Sequence, residues 1–563
     1  MPLRSKPLAV WLICSLVPVA ALAQTPADHE LIRERQERLL QEQERRLDEL
    51  RQLPGKAPQS AAEPLVQDER CFDIQQIELS GASLLGPADQ AAIFAPFVGQ
   101  CLGVSQLNQL LKVITDHYIG RGYVTTRAYL PQQDLASGTL QVIVVEGRLE
   151  GLNSSELASE RELAMGFPGQ TGQVLNLREL EQLVEQLNRL PSRQAQLELL
   201  PGEQVGGSRV QLQGQRSKPW RVSLARHNDG QLSTGEQQWG LGLDWDSPLG
   251  LADQLSLRAG RDALSDRYRH SHNQSLNYSL PYGWWSFNYS YSQSYYRTQS
   301  EANGFAFETD GDSATHALRA ERVLHRDSLS KTAVNLGVSH LRSNNFILGN
   351  RIDVSSQRLS EAQLGFNHGR RIGSAFVNLD AGWQQGTGAF DAQRRGDPQG
   401  GEPVARYNKY SLTLSYLQPF QLWGESFSFD SLASGQRSED VLFSPQRISV
   451  GGLSSVRGFK EQSLSGDSGG YWRNQLRWSR PVAWEPLRPV VQEYGVAFAY
   501  DVGVISGGRY NPDQHGRLSG NAVELSARGQ HLAASVTLAR SLERPEAIAR
   551  QEHPLYFRVD LFF

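Results

Sequence analysis

The sequence predicts a mainly β protein, in which a C-terminal transmembrane antiparallel β-barrel of about 16 strands follows two small α+β modules and an N-terminal helix. Three observations predict this fold class. From residue 217 onward, apolar and polar residues alternate, and aromatic residues lie toward the ends of the alternating segments. In the same region, short turns alternate with long polar connections. Outside the extreme N-terminus, no run of about 18 apolar residues occurs, which excludes membrane crossing by helices.

The composition narrows the class further. The 563 residues carry 56 Lys and Arg against 60 Asp and Glu, a formal charge of -4, which argues against nucleic-acid binding. The mean hydropathy is -0.45. The chain has 2 Met beside 52 Gly, 11 Trp, 18 Tyr and 20 Phe. This usage favours extended, half-exposed strands over the core of a large soluble enzyme.

Residues 1–23 predict an export signal peptide. Arg4 and Lys6 precede an apolar run, and Ala21-Leu22-Ala23 supplies a small-residue cleavage site. A lipoprotein signal is the alternative. It would need Cys14 as the lipidated residue, but the apolar run continues past that position.

Cleavage of the signal peptide leaves Cys71 and Cys101 as the cysteines of the mature chain. Two cysteines in one domain of an exported chain most simply pair. The bond would close a loop of about 31 residues and stabilise the fold by about 3–4 kcal/mol. A metal or redox site is the alternative, but neither a CxxC motif nor a His at ligand spacing accompanies them. We therefore predict a structural disulfide.

Residues 24–53 predict the N-terminal helix. Strong helix formers surround a broken apolar stripe, formed by Ile32, Leu39, Leu40, Leu47 and Leu50. At 1.5 Å per residue the helix would be about 38 Å long, enough to thread a pore as deep as the bilayer. It is too charged to cross lipid, and an exposed helix or weak coiled coil is the alternative. Residues 54–67, rich in Pro, Ala and Ser, predict a linker.

Two α+β modules are predicted next, at residues 68–150 and 151–216. In the first module, strand-like alternation surrounds an amphipathic helix at 107–119. In the second, an apolar-striped helix at 177–190 precedes two alternating strands. Neither module contains a catalytic constellation.

Residues 217–563 predict the barrel. Tight connections such as 247–250 alternate with long polar ones such as 298–313 and 386–407. About 345 residues at roughly 20–22 per strand and connection give about 16 strands, and such a lumen is wide enough to need a plug. A soluble β-sandwich would bury one face with aliphatic residues, whereas the second face here consists of Ser, Asn, Gln and Gly.

The final strand carries one apolar stripe that ends on the last residue. Its members include Phe557, Val559, Leu561 and Phe563. A terminal aromatic residue on an alternating strand resembles the signal by which outer-membrane barrels are recognised by the bacterial assembly machinery. We predict that this stripe is the C-terminal assembly signal.

The segment 447–459 combines glycines with an arginine at a predicted tip. Its candidate functional residues are Gly451, Gly452, Val456, Arg457, Gly458 and Phe459. Consecutive glycines let a loop approach other backbone closely, and Gly458 permits a tight tip that projects Arg457. A guanidinium inside a lumen needs a carboxylate, and a bidentate pair could lock a long loop against one wall. The alternative is that Arg457 is one of many pore-lining cations and the glycine pair an ordinary bulge.

With these features the chain resembles the two-partner secretion (type Vb) outer-membrane transporters. These are the TpsB class of hemolysin secretion/activation proteins, in the superfamily of barrels with polypeptide-transport-associated (POTRA) domains. The resemblance covers the helix, the linker, both modules and the barrel. It implies that the loop near 447–465 folds into the barrel and that Arg457 pairs with an Asp on an inner strand. Asp501 and Gly503 fit that strand, while Ala499 stands where the family usually has Phe or Gly.

The resemblance also implies a function. The protein would lie in the bacterial outer membrane, with POTRA domains in the periplasm, and would pass an unfolded exoprotein through its pore. The partner would be a large secreted protein of the TpsA type with an N-terminal secretion module. Outer-membrane lipids and, during biogenesis, the barrel assembly machinery would be further partners. The N-terminal helix would plug the resting pore.

No enzyme activity, cofactor or metal is predicted. The sequence contains no P-loop GxxxxGK[ST], and the periplasm offers no ATP, so progressive folding of the exported chain outside the cell is the implied source of energy.

Three other functions remain open. An outer-membrane insertase of the same superfamily shares the loop, but usually has more POTRA modules and lacks the plugging helix. A passive porin or solute exporter would not need two modules before its barrel. An outer-membrane enzyme such as a phospholipase would need a Ser or Asp partner for a histidine, and the histidines are scattered: His227, His270, His272, His316, His368 and His531.

Overall fold

The computed structural model describes residues 25–55, 70–154, 157–264, 266–302, 304–394, 402–509 and 512–563. The predicted signal peptide, including Cys14, and most of the predicted linker lie outside these residues. Of the helices in the described ranges, none is both long enough and apolar enough to cross a membrane.

Helix α1 (Pro26–Arg51) lies within the range predicted for the N-terminal helix. The Thr25 hydroxyl accepts a hydrogen bond from the backbone N–H of Asp28, and the Asp28 carboxylate accepts one from the N–H of Thr25, both at 3.2 Å. This reciprocal pair satisfies two backbone donors that the helix cannot use itself. Pro26 follows in the first turn, where its missing N–H costs nothing.

Module 1 (70–147) is a small α+β unit. Its elements are β1 (Phe72–Ile74), β2 (Gln76–Ser80), α2 (Pro87–Phe94), β3 (Gln100–Leu102), α3 (Val104–Gly120), β4 (Arg127–Tyr129) and β5 (Thr139–Val145). The main sheet has the order β2-β5-β4, and Leu110 and Ile114 of α3 are fully buried in the core beside it. Cys71, next to β1, and Cys101 on β3 are joined by a disulfide with Cα atoms 5.2 Å apart.

Module 2 (148–216) repeats this theme. Its elements are β6 (Arg148–Asn153), α4 (Glu160–Gly166), α5 (Leu177–Asn188), β7 (Arg193–Pro201) and β8 (Gly207–Arg216). The sheet order is β6-β8-β7. The boundary predicted between residues 150 and 151 falls within β6, which pairs with β8 on both sides of a bulge at Glu150. The boundary lies nearer 147. The sequence contains no linker that would mark this boundary, because only Glu146 and Gly147 separate β5 from β6.

Sixteen long strands in the described part of the chain close a barrel. The remaining strands in chain order are β9 (Trp220–His227), β10 (Gln238–Asp246), β11 (Gln254–Asp262), β12 (His270–Tyr282), β13 (Trp285–Ala302), β14 (Phe305–Arg326), β15 (Ser330–Ile347), β16 (Asn350–Arg351), β17 (Gln357–Ile372), β18 (Ala375–Thr387), β19 (Asn408–Leu422), β20 (Glu425–Ser438), β21 (Ile448–Val450), β22 (Leu464–Gly466), β23 (Gly469–Pro481), β24 (Glu493–Ile505), β25 (Gly516–Arg528), β26 (Leu532–Glu543) and β27 (Leu555–Phe562). The two-residue β16 extends the β15 ladder, while β21 and β22 pair only with each other.

Neighbouring barrel strands are antiparallel, and β27 pairs with β9 to close the ring. The predicted fold class is confirmed, including the number of strands. Strand β24 illustrates the alternation that predicted it. Phe498 and Tyr500 are exposed on the outer face, while Ala499, Asp501 and Gly503 are buried on the lumen side. This strand therefore presents apolar groups to the outside of the barrel and small or polar groups to the lumen.

Most turns at the end of the barrel that contacts module 2 are short, and most connections at the other end are longer. The prediction of a long loop at 298–313 is wrong. These residues continue β13 and β14, with Thr298 opposite Thr309 in the ladder. A hairpin that extends past the membrane has water on both faces, so neither face needs to be apolar. The sequence of its strands therefore lacks the alternation that predicts a strand, and it resembles that of a loop. The other long connection follows the prediction, since β18 ends at Thr387 and β19 begins at Asn408.

Candidate functional site

Two elements occupy the lumen of the barrel. One is helix α1, and the other is the inner loop (439–468) that connects β20 to β23. Strands β21 and β22 form a hairpin within the inner loop, with Ile448 opposite Gly466. The loop predicted near 447–465 lies inside this segment. The site is therefore the filled lumen, together with the groups that hold both elements in place.

Arg457 and Asp501, which the sequence analysis paired, are in direct contact. The guanidinium Nε lies 2.7 Å from Asp501 Oδ2, and Nη2 lies 2.7 Å from Oδ1. The backbone N–H of Arg457 also donates to Oδ2 at 3.1 Å, and Nη1 donates to Gln475 Oε1 at 2.5 Å. Arg457 is 3% exposed and Asp501 is 0% exposed. A buried bidentate pair fixes the orientation of the loop tip as well as its position.

An apolar cluster surrounds this pair on the lumen wall. Val450, Val456 and Phe459 of the inner loop are fully buried against Ile505 and other wall residues. Gly503 makes room for them, since a Cβ at this position would lie 2.8 Å from Val450 Cβ. Val456 and Phe459 thus anchor the tip by burial.

Two glycines let the tip approach the wall backbone to backbone. A Cβ at Gly458 would lie 2.6 Å from the carbonyl oxygen of Arg540 on β26, and a Cβ at Gly520 on β25 would lie 2.8 Å from Gly458 Cα. Gly451 and Gly452 have φ angles of 120° and 98°, which side-chain-bearing residues rarely adopt. The glycines of the motif therefore meet two different needs, close approach at the tip and a left-handed bend at its base.

Two residues that the sequence analysis did not select also hold the inner loop. The carboxylate of Glu552 accepts hydrogen bonds from the backbone N–H groups of Lys460 at 2.6 Å, Glu461 at 3.0 Å and Gln462 at 3.1 Å. The Tyr556 hydroxyl donates to the carbonyl oxygens of two tip residues at 3.2 Å each. Tyr556 alternates with the outward-facing residues of β27, and successive residues of a strand point to opposite faces. The sequence pattern alone therefore predicts that Tyr556 faces the lumen.

Helix α1 is held in the lumen chiefly through polar contacts. Gln43, which is buried, donates to Asp380 Oδ2 at 2.7 Å and accepts from Asn378 Nδ2 at 2.9 Å. Arg46 donates to both carboxylate oxygens of Glu321, one of them at 2.7 Å. These partners lie on the wall strands β14 and β18. A helix held in this way can exchange its contacts for water.

The helix also contacts the inner loop. Arg35 Nη1 donates to the carbonyl oxygen of Pro445 at 2.9 Å, and Nη2 donates to that of Arg447 at 2.6 Å. Gln36 Nε2 donates to the carbonyl oxygen of Ser449 at 2.7 Å. The two lumen elements therefore lie against each other as well as against the wall.

The helix also has apolar contacts near both of its ends. Leu31, near the N-terminal end, packs against Leu341 and Leu359 of the wall. A second apolar cluster lies at the end of α1 nearest module 2. There Leu47, Leu50 and Leu53 pack against Phe376 and Leu417 of the wall. This cluster is small compared with the polar contacts along the rest of the helix. It orients the helix, so that its C-terminal end lies beside module 2.

Module 2 is docked on the short turns of the barrel. Arg326 Nη1 donates to Glu185 Oε2 at 2.5 Å, and Arg189 Nη2 donates to the carbonyl oxygen of Ala252 at 2.6 Å. Burial at this interface raises the pKa of the Glu185 carboxyl, but the charges of Arg326 and Lys331 outweigh it and hold the pKa well below its ordinary value. Glu185 therefore stays ionised and keeps both contacts.

The helix and inner loop do not fill the lumen completely. A polar cavity of about 1330 Å³ remains, lined by α1 and by strands that include β9 to β12. Within the described ranges, no three His, Cys, Asp or Glu side chains are grouped so that they could hold a metal ion.

The C-terminal stripe lies on the outer face of β27. Val559, Leu561 and Phe563 are exposed, and Phe557 is half-buried. The stripe thus lies on the outside of the barrel, next to the seam where β27 pairs with β9.

Three family models match consecutive parts of the chain. The model described as "Haemolysin secretion/activation protein ShlB/FhaC/HecB" matches residues 206–527. A ShlB-type POTRA domain matches residues 72–147, and a further POTRA domain matches residues 148–201. These ranges cover most of the barrel, module 1 and most of module 2.

Whole-chain comparisons agree with these matches. "Outer membrane transporter CdiB" of Dickeya dadantii (strain 3937) is 35% identical over 543 residues, which cover 96% of this chain and 95% of the relative. "Hemolysin transporter protein ShlB" of Serratia marcescens is 31% identical over 447 residues, 79% of each chain. The solved structure of CdiB from Escherichia coli has 34% identity and a TM-score of 0.90, and the match covers 96% of this chain and 100% of that one.

The barrel and the order of its domains assign the protein to the outer membrane, with both POTRA domains in the periplasm. The chain belongs to the ShlB/FhaC/HecB family of hemolysin secretion/activation proteins, whose members are two-partner secretion transporters of the outer membrane.

Proposed function

We propose that this protein binds an unfolded exoprotein in the periplasm through its POTRA domains and passes it through the barrel to the cell surface without ATP. The observation that supports this proposal most directly is the polar attachment of helix α1 inside the lumen. Helix α1 is attached through side-chain hydrogen bonds and ion pairs, as at Gln43 and Arg46. Such contacts can be replaced by water or by another polypeptide. A passive porin gains nothing from a removable helix.

Module 1 offers a site where an unfolded chain could be captured. Strand β4 lies at the edge of its sheet, so one row of its backbone groups has no neighbouring strand. Beside this edge lies a groove of about 340 Å³, lined by Tyr129, Ile143, Val145 and Val205 among others. Strand addition at such an edge recognises backbone and tolerates varied sequences, while the groove accepts apolar side chains.

Arg457 and Asp501 would hold the inner loop against the wall while the pore is in use. Removing one partner of a buried ion pair leaves an uncompensated charge, at a cost of about 3–5 kcal/mol. Such a loss is large enough to release the loop tip. In this proposal Gly458 and Phe459 support the pair, because they set how closely the tip approaches the wall.

Energy for export would come from folding of the exoprotein outside the cell. The sequence has no P-loop for ATP. Relatives are named as hemolysin transporters and as CdiB transporters. By analogy, the partner proposed here is a large TpsA-type exoprotein with an N-terminal secretion module.

We propose further that the stripe Phe557, Val559, Leu561 and Phe563 is read by the barrel assembly machinery. Its exposed position on β27 leaves it accessible while the strand is still unpaired, and it faces outer-membrane lipids afterwards.

The decisive experiment follows export of a large exoprotein encoded next to this protein. In cells carrying Arg457→Ala, we expect the exoprotein to accumulate in the periplasm while the barrel assembles normally. Arg477→Ala is the matched control. Arg477 also faces the lumen from β23 and pairs with Glu524 at 2.9 Å, a contact between two wall residues. Export should remain normal in this control.

Two outcomes would contradict the proposal. Normal export by Arg457→Ala would remove the inner loop from the mechanism. If deletion of the whole protein instead depleted many outer-membrane barrels, the protein would be an insertase of the same superfamily.

A further inference from the structure

A single buried lysine joins helix α1 to module 2. Lys331 is the second residue of β15, at the module-2 end of the barrel. Its Nζ lies 2.8 Å from Glu49 Oε2 of α1 and 2.5 Å from Glu185 Oε1 of α5. Lys331 itself is 6% exposed. Two carboxylates from separate parts of the molecule thus share one cation.

Module 2 covers one side of this contact and limits its access to water. The second oxygen of Glu185 accepts from Arg326 Nη1 at 2.5 Å, and Gln182 Oε1 accepts from the same nitrogen at 3.1 Å. Arg326 is itself buried beneath α5. An ion pair excluded from water is much stronger than the same pair in water, where its contribution is close to zero. The strength of the contact between Lys331 and Glu49 therefore depends on docking of α5.

The neighbouring contacts of α1 do not share this arrangement. Arg46 binds Glu321, and Leu50 packs against Phe376, both of which belong to the barrel wall. These contacts hold the helix wherever module 2 lies. The contact of Lys331 is different because one of its two partners moves with module 2.

We infer that Lys331 is a positioning residue that makes retention of α1 in the pore depend on the docking of module 2. The inference rests on the proposed function, because it assigns a regulator to the helix that the proposal treats as a plug. A shift of module 2 withdraws Glu185 and exposes Lys331 to more water. The contact with Glu49 then weakens, and the helix is released more easily. The coupling is reciprocal, so departure of the helix also loosens module 2.

A double-mutant cycle in planar bilayers tests this inference with the full-length protein. Arg326→Gln weakens docking of module 2, because Arg326 forms hydrogen bonds and ion pairs with Glu181, Gln182 and Glu185 of α5. We expect it to raise the fraction of open pores by about fivefold or more, a usual range for coupled sites. In the Lys331→Met background the same change should add nothing, because the link is already broken.

Lys409→Met is the matched background. Lys409 is another buried lumen lysine, and its partners are Glu361 at 2.8 Å and Gln446 at 2.7 Å, neither of which lies in module 2. Arg326→Gln should keep its full effect there. If Arg326→Gln fails to assemble, Glu181→Gln serves instead, since it weakens the contact of α5 with Arg326 Nε, which lies 3.6 Å from Glu181 Oε2, without changing side-chain size.

An effect of Arg326→Gln that is equal with and without Lys331, or no effect in the wild-type background, would overturn the inference. Neither result depends on export. The proposed function fails separately, if Arg457→Ala still exports the exoprotein.

Discussion

Removal of helix α1 should enlarge the conducting path by an amount that follows from the structure. The helix has 26 residues. Treated as a cylinder about 39 Å long and about 11 Å wide, it displaces about 3700 Å³. The cavity beside it has a volume of about 1330 Å³. The inner loop stays in place, and at constant pore length the conductance is proportional to the open volume. Deletion of residues 26–51 should therefore raise the single-channel conductance by about fourfold.

Planar-bilayer recordings of purified protein, at one salt concentration, measure this change. Arg45→Ala is the control for altered lumen charge. Arg45 is half-exposed, borders the cavity and pairs with Glu49 of the same helix at 3.8 Å. Its loss changes the charge near the path while the helix stays in place, so the conductance should change only slightly.

An unchanged conductance after deletion of 26–51 would refute the reasoning, because it would mean that α1 does not obstruct the path. A rise of equal size in Arg45→Ala would attribute the effect to charge and would refute the volume argument as well.

Three further predictions concern other parts of the molecule. Gly458→Ala places a Cβ against the Arg540 carbonyl and should destabilise the docked loop tip by about 1–3 kcal/mol, so that added protease cuts the inner loop faster than in wild type. Cys71→Ser opens a loop with a sequence separation of 30 and should lower the free energy of unfolding of module 1 by about 3–4 kcal/mol, measured by urea-dependent proteolysis. Burial raises the pKa of Glu162 in α4, but hydrogen bonds from Ser247 and other groups outweigh it and lower the pKa below its ordinary 4.5. The contribution of Glu162 to docking is complete above that value and is lost as the pH falls through the lowered pKa. Distances between spin labels on module 2 and on the barrel should therefore stay constant from about pH 8 to about pH 5. A change in these distances near pH 6 would contradict the lowered pKa of Glu162.

The barrel could be predicted from the sequence because its physics is local. A strand between lipid and lumen must alternate with a period of two, and β24 follows that rule at Phe498, Ala499 and Tyr500. Where the strands leave the lipid, the rule stops. The hairpin formed by the ends of β13 and β14 was therefore predicted as a loop, although its ladder continues.

The site was partly predictable for a different reason. Arg457 lies in a segment whose glycines mark unusual backbone, so a resemblance could identify it and its partner Asp501. Glu552 and Lys331 carry no such mark. Lys331 meets Glu49 across 282 positions of sequence, and no periodic pattern connects residues that far apart. Contacts of this kind depend on how the barrel closes, which only the structure supplies.

The polar attachment of α1 makes the helix a tethered ligand of its own pore. Hydrogen bonds and ion pairs with the wall exchange for water at a small net free energy, whereas an apolar stopper would resist transfer into water. Because α1 is covalently joined to the rest of the chain, it competes for the lumen at a high effective concentration. Under the proposed function the barrel would act as a self-resealing valve, which α1 leaves only while another polypeptide occupies the lumen, so that the permeability barrier returns after each passage.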